Sequence, residues 1–456
     1  MINKYDKIFI IFIYNRMANN TVNNTTNNNA NNAKKNVVKN GVKNVDKNAK
    51  NTNVKNSNNI MKSNLSNANR DKLLNLDEFE PYKCPESSNK NSDAIFDKVP
   101  DSYTTPDGKK KYAFCTMLFG SDSYLPGVLT LAYSLRIQKT KADICIIITP
   151  DISDKTVKIL EILFDKVIRV EYIIPPDKFF YKDLMERFPH YTKTYTKLNI
   201  FRFTEYEKIL FMDADSLSLR HCDHPFTLNA PAATLYGSRA AQSHMIETAD
   251  FAPRKKGDKY QWHKTYCDCC GHGKLIPKKY TDTACNIYKN PAYVGMSVEF
   301  MLIKPDMKTF DEMVGMFAEG EKHKYAYKAE NNFLECFFTG KITGIDPRFP
   351  GFQGYPSIFM IFGMNFGSHV KPWTINFKSK KGALPEDDIH RSGKVLWNDF
   401  ILWFYLFNDM MVKYPVLDKQ SKKLAKLHKE VADTLIEFKD HENYVKIRAF
   451  LSTIFE

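Results

Sequence analysis

The sequence predicts an α/β fold, a mostly parallel sheet flanked by helices, between a disordered N-terminal tail and a helical C-terminal extension. Three observations carry this reading. Between residues 111 and 213, short apolar runs of strand length alternate with helical stretches, the pattern of βαβ units. Before them lies an Asn-rich segment almost without aromatic residues, which cannot bury enough apolar surface to offset its ordering entropy. After residue 375 the apolar residues recur at helical spacing. A chain of 456 residues, 43% hydrophobic and 26% charged, has ample core for an enzyme-sized domain.

Ordered sequence is expected from about Lys109. KYAFCTMLF (111–119) reads as a buried strand, and YLPGVLTLAYSLRIQ (124–138) as a helix with Pro126 in its first turn. DICIIITP (143–150) is a second strand. SDKTVKILEILF (153–164) is a helix capped by Ser153, with Val157, Leu160 and Phe164 on one face. KVIRVEYI (166–173) gives a third strand, YTKLNIFRFTEY (195–206) a helix, and EKILFMD (207–213) a fourth strand. EFMLIKPD (299–306) is strand-like, and AENNFLECFF (329–338) reads as an amphipathic helix with Phe333, Phe337 and Phe338 inward.

The net charge of +14 is concentrated in the tail: residues 17–72 hold ten Lys or Arg against two acids. With no aromatics interleaved for base stacking, nucleic-acid binding is not expected. KIFIIFIYN (7–15) is too short to span a bilayer and has no small-residue cleavage site after it. Met17 offers an alternative start, and the expected location is cytoplasmic. Nine cysteines, two of them (Cys115 and Cys145) inside core strands, do not make a disulfide scaffold.

The chemistry centres on ILFMDADSLSL (209–219), where Asp213 and Asp215 flank Ala214. Alternation in an extended segment points both carboxylates to one side. Like charges that close need a cation or a hydrogen-bond network between them. At the C-terminal end of a parallel strand, where ligands of open α/β sheets bind, a hard divalent cation such as Mg²⁺ or Mn²⁺ fits. The alternative is a capping Asp followed by a turn Asp.

With their flanks included, AFCTMLFGSDSYLPGVLTLAYSL (113–135), ADICIIITPDISDKTVKILEILFDKVIRV (142–170), YTKLNIFRFTEYEKILFMDADSL (195–217) and HVKPW (369–373) occur in order. Together they resemble the glycogenin-like members of glycosyltransferase family 8, over roughly residues 110–375. The resemblance implies a GT-A fold, a Rossmann-like, mixed and mostly parallel sheet. It also implies a DxD motif that binds a UDP-sugar through Mn²⁺ (or Mg²⁺), and hexose transfer with retention of configuration. By position, it implies that Met117 (or Leu118) and Tyr124 hold the uracil, and that Arg187 and Lys197 meet the donor. Asp213 and Asp215 fall on the metal ligands, Ala214 on the ribose contact, and Lys371 on a diphosphate contact that stabilises the departing UDP.

The chain departs from that pattern in three places. Asn365 stands where the family has a third metal ligand, His, with His369 nearby as an alternative. Glu299 stands where the family's Asn-Ser-Gly segment ends in Gly. The family's Gly-Asp-Gln becomes Ala329-Glu330-Asn331, making Glu330 and Asn331 the candidates beside the anomeric carbon; Glu330 also reads as a solvated first-turn acid.

HKTYCDCCGHGK (263–274) forms a second constellation. Cys267, Cys270, His272 and Cys285 form a candidate structural zinc set, against a plain loop of reduced thiols or a disulfide. KVLWNDFILWFYLFNDMM (394–411) is apolar but interrupted by Asn398 and Asp399, which favours packing on the catalytic region over membrane spanning. KKLAKLHKEVADTLIEF (422–438) carries an apolar stripe at 424, 427, 431 and 435, followed by a last helix near 443–455; an oligomer contact and a cover for the core both fit. The expected division is therefore a tail (1–95), a glycosyltransferase domain (110–375) and a helical extension (376–456).

The functional expectation is a UDP-sugar-dependent hexosyltransferase, glucose favoured, with an unidentified glycan or protein acceptor. The alternative is a catalytically inactive GT-A domain used as a binding or structural protein.

Overall fold

The computed structural model describes residues 96–179, 185–186, 188–236, 272–276, 295–318, 329–346, 348–351, 361–367, 370–375, 389–390, 393–394, 397–440 and 442–455. The tail assigned to 1–95 lies outside them. Folded contacts begin earlier than Lys109. Phe96 is buried against the rings of His224, His272, Phe349 and Phe362, and Tyr103 donates to the buried Asp223 carboxylate at 2.7 Å. Two aromatic anchors in an otherwise polar stretch suffice to hold it.

The expected alternation builds the first half of the sheet. Strand β1 (Tyr112–Leu118) leads through a single turn into helix α1 (Leu125–Ile137), then β2 (Asp143–Ile148), α2 (Asp154–Leu160) and β3 (Lys166–Arg169). Ser153 caps α2 by accepting from the Thr156 N–H. β4 (Lys208–Met212) follows, then the short β5 (Ser216–Ser218), β6 (Ala232–Tyr236) and β7 (Gly295–Ile303). Helices α3 (Met307–Gly315) and α4 (Glu330–Phe337) precede β8 (Thr343–Ile345) and β9 (Gly363–Asn365).

Seven strands form one sheet in the order β3-β2-β1-β4-β7-β6-β8. β7 runs antiparallel to both of its neighbours, and all the other pairings are parallel. The sheet is thus mixed and mostly parallel, as expected. β1, β2 and β4 alternate between two cores. Phe114, Ile146 and Leu210 face α1 and the C-terminal helices, whereas Cys115, Ile147 and Phe211 face the 195–201 segment and α4.

One element differs from expectation. Residues 195–206 do not form an α-helix; Pro189–Arg202 is a run of tight 3-10 turns. Side chains that bond back three residues explain it: the Thr192 hydroxyl donates to Pro189 O at 3.0 Å. Asn199 does the same to Thr196 O at 3.0 Å. Such bonds compete with the α-helical ladder.

The C-terminal helices α5 (Trp397–Lys413), α6 (Val416–Gln420), α7 (Lys422–Glu437) and α8 (Glu442–Phe455) close one face. Phe400, Trp403, Phe404 and Phe407 of α5 are buried in the same core as α1, and Leu424, Leu427, Val431 and Leu435 of α7 join them. The expected apolar stripe is therefore the buried face of α7. Among the described residues, no helix is long and apolar enough to cross a membrane.

Candidate functional site

β4 delivers its carboxylates to the sheet's C-terminal edge. Its last pairing in the ladder is Met212 with Phe300, and the Asp213 N–H continues it by donating to Glu299 O at 2.9 Å. Past Asp213 the chain turns, with the Ser216 N–H donating to Asp213 O at 3.0 Å. β5 then pairs antiparallel with β9, placing Ser216 opposite Asn365. A Cβ at Gly127 would lie 2.5 Å from Ala214 O and 2.5 Å from the Trp373 ring. Glycine at that point of α1 is what allows the carboxylate turn and the KPW segment to come together.

Each carboxylate meets a buried lysine. Lys197 Nζ donates to Asp213 Oδ1 at 3.0 Å and to Glu330 Oε1 at 3.1 Å, and lies 4.6 Å from the Phe211 ring centroid. Thr194 Oγ1 donates to the other oxygen of Glu330. Lys371 Nζ donates to Asp215 Oδ2 at 2.5 Å and to Phe366 O at 2.6 Å. Asn365 Nδ2 donates to Asp215 Oδ1 at 3.1 Å and to Ser216 Oγ at 3.2 Å.

The charges are strongly perturbed. Burial pushes the Asp213 carboxyl up to about 6; Lys197 opposes the rise, and Asp215 and Glu330 add to it. Burial acts to lower Lys197, but Asp213 and Glu330 more than offset it and hold the ammonium above the usual lysine range. Lys371 follows the same logic, with Asp215 and Tyr124 outweighing its burial.

Other sequence-predicted residues gather here too. Met117 is buried at the end of β1. Tyr124 packs edge-on against Trp373, and Lys371 Nζ lies 5.9 Å from its ring. Glu330 is 7% exposed and paired with Lys197, so it is not a solvated first-turn acid. Asn331 Oδ1 accepts from the Val298 N–H at 3.0 Å, tying α4 to β7. Ala329, where the family has Gly, holds φ +41°, a conformation that favours glycine.

Arg187 and His369 lie outside the described residues, as do Cys267, Cys270 and Cys285. His272 is described, and it is used elsewhere. Its Nδ1 accepts from the Asp346 N–H at 3.0 Å, and its Nε2 lies 2.9 Å from His224 Nε2. His224 Nδ1 in turn lies 2.7 Å from Lys98 O. Both ring nitrogens of His272 are therefore engaged within the fold, while the cysteines of the expected zinc set lie outside the described residues.

Sequence reasoning missed Thr194 and Tyr191. Their signal was spacing: in a three-residue turn, Tyr191 and Thr194 stack beneath Lys197.

The residues fit a hard cation. Asn365 Oδ1 is buried without a hydrogen-bond partner, and the amide's oxygen and nitrogen exchange places on a half-turn of its plane. That turn sets a carbonyl beside Asp215, the kind of oxygen donor a hard cation takes. Among the described residues, no three His, Cys, Asp or Glu side chains are grouped to hold a metal ion.

The chain is similar to known proteins. The profile described as "Glycosyl transferase family 8" matches residues 115–265. Galactinol synthase 6 of Arabidopsis thaliana is 24% identical over 339 residues, covering 72% of this chain and 90% of that protein. Glycogenin-1 of Oryctolagus cuniculus is 40% identical over 114 residues, covering 25% of this chain and 33% of that protein. Among solved structures, the galactosyltransferase LgtC in complex with donor and acceptor sugar analogs aligns with 57% of this chain and 89% of its own, at 12% identity and a TM-score of 0.37. Residues 115–265, which include the carboxylate pair at the end of β4, thus form a glycosyltransferase family 8 domain.

Proposed function

We propose that the chain is a metal-dependent, retaining hexosyltransferase that moves a hexose, with glucose favoured, from a UDP-sugar to a glycan or protein acceptor. The observation that carries this is the paired arrangement at the end of β4, in which two carboxylates on one turn are each held by a buried lysine from a different segment. A binding module would have no need of two buried lysines paired with three carboxylates at one point, since a buried charge left without its partner costs about 3–5 kcal/mol.

Asp213, Asp215 and Asn365 hold the cation, Mn²⁺ or Mg²⁺. When bound, it neutralises the diphosphate and favours its departure. Lys371 moves from Asp215 onto the diphosphate as charge develops there. Met117 and Tyr124 hold the uracil, Ala214 the ribose, and Arg187 and Lys197 the donor. Glu330, fixed by Lys197 and Thr194, and Asn331 flank the anomeric carbon. The bond from that carbon to the diphosphate oxygen breaks, and a bond to the acceptor oxygen forms on the same face. The acceptor's proton leaves with the diphosphate. Residues 110–375 carry this chemistry, and the helices of 376–456 buttress α1 behind it.

The test is UDP release from a panel of UDP-sugars, with and without Mn²⁺, in wild type and Asp213→Ala. Metal-dependent release that is lost in the variant is the expected result. A wild-type protein that neither releases nor binds UDP would return the chain to the binding-protein reading.

A further inference from the structure

The site contains another carboxylate that the transfer chemistry above leaves unused. Glu299 lies on β7 opposite Asp213, joined to it by the Asp213 N–H···O=C Glu299 bond of 2.9 Å. β7 shifts register against β6 between Ser297 and Met301, and Glu299 lies in that irregular stretch, next to the start of the carboxylate turn. Ser297, two residues earlier on the strand, donates its hydroxyl to Glu299 Oε2 and fixes the carboxylate's direction. The residue between them, Val298, carries the bond to Asn331 that draws α4 and Glu330 against this stretch of β7. Burial, then the charges of Glu330 and Glu299, raise the Tyr191 hydroxyl.

We infer that Glu299 is a specificity-determining residue, accepting hydrogen bonds from hydroxyl groups of the transferred sugar and excluding sugars that carry a negative charge. This rests on the nucleotide-sugar reading of the site. A carboxylate is an acceptor only, so it matches a ring of hydroxyl donors. With Asp213 beside it on the neighbouring strand and α4, which carries Glu330, tied to Val298, it meets a uronate with like-charge repulsion. A glycine here would leave the sugar lying against bare backbone. The side chain both narrows that space and dictates what fills it.

Isothermal titration with Mn²⁺ present, using UDP, UDP-glucose, UDP-galactose and UDP-glucuronate, compares wild type with Glu299→Gln and Glu299→Gly. UDP itself should bind all three proteins alike, which also reports that the variants are folded. The neutral hexose should add affinity in wild type and lose about tenfold of it in Glu299→Gln, the size of a hydrogen bond to a charged group. UDP-glucuronate should bind the variants more tightly than wild type. An equal sugar increment in all three proteins would overturn the assignment while leaving the nucleotide site standing. No UDP binding to any of them would overturn the nucleotide-sugar reading, and the assignment with it.

Discussion

Acid should unfold this protein through a pair of histidines far from the carboxylate turn. Burial, then the neighbouring His224 ring, push His272 down to about 4 from an ordinary 6.5. His224, 4% exposed, is lowered as well, first by its burial. The folded state refuses protons that the unfolded chain accepts below about pH 6.5. Stability is therefore complete above that pH and is lost as pH falls toward about 4. At about 1.4 kcal/mol per pH unit, His272 alone costs about 2 kcal/mol between pH 6.5 and 5, and about 3 kcal/mol by pH 4. Urea denaturation at pH 7.5 and pH 5, at fixed ionic strength, reads this directly. In His272→Asn the shorter amide retains an acceptor for the Asp346 N–H, and the variant should start less stable but lose about 2 kcal/mol less over the same interval. Contributions from Asp213 and other groups are common to both proteins and cancel in the difference. Parallel pH dependences in wild type and variant would refute the reasoning.

Three further substitutions probe the site. Gly127→Ala should abolish UDP binding in titrations with Mn²⁺, because its methyl group would stand 2.5 Å from both Ala214 O and Trp373; unaltered binding would mean that the turn and ring adjust freely. Lys197→Met leaves Asp213 and Glu330 facing each other without a cation, and should cost about 3–5 kcal/mol in denaturant unfolding as well as UDP release. Ala329→Gly relieves a backbone at φ +41° and should gain about 1 kcal/mol in the same assay; a loss would show that the alanine side chain's packing outweighs the strain.

Much of the fold was legible because its signals are local. The apolar runs of β1, β2 and β4 are continuous, as strands covered on both faces must be, and Ser153 announces the start of α2. The 189–202 segment was not legible as an α-helix or otherwise, because whether a threonine hydroxyl bonds back to its own turn depends on what the neighbouring sheet demands. The reversed direction of β7 is likewise a property of its partners, Ile209–Met212 and Ala232–Tyr236, and leaves no mark on its own residues. At the site, Asp213 and Asp215 stood out by spacing alone. Lys371, Asn365, Glu330 and Asn331 were reached only through resemblance, since nothing in a lone Lys or Asn records which distant residue it will meet. His272 shows the converse: metal-ligand spacing is a local pattern, and it carries no sign of the long-range bonds His272 makes to Asp346 and His224.

The short pairing of β5 with β9 also bears on how the protein is made. It joins Ser216 to Asn365, and the contacts of Asp215 with Asn365 and Lys371 span 150 and 156 residues. Synthesis at about 5–20 residues per second exposes the two carboxylates for roughly ten seconds or more before their late partners emerge. Through that interval Asp213 already has Lys197, made sixteen residues earlier, while Asp215 at the edge of the first strands waits for Asn365 and Lys371. Assembly of the site thus coincides with completion of the sheet, and a chain cut anywhere between β6 and β9 would keep its aspartates yet lack the groups that put them to use.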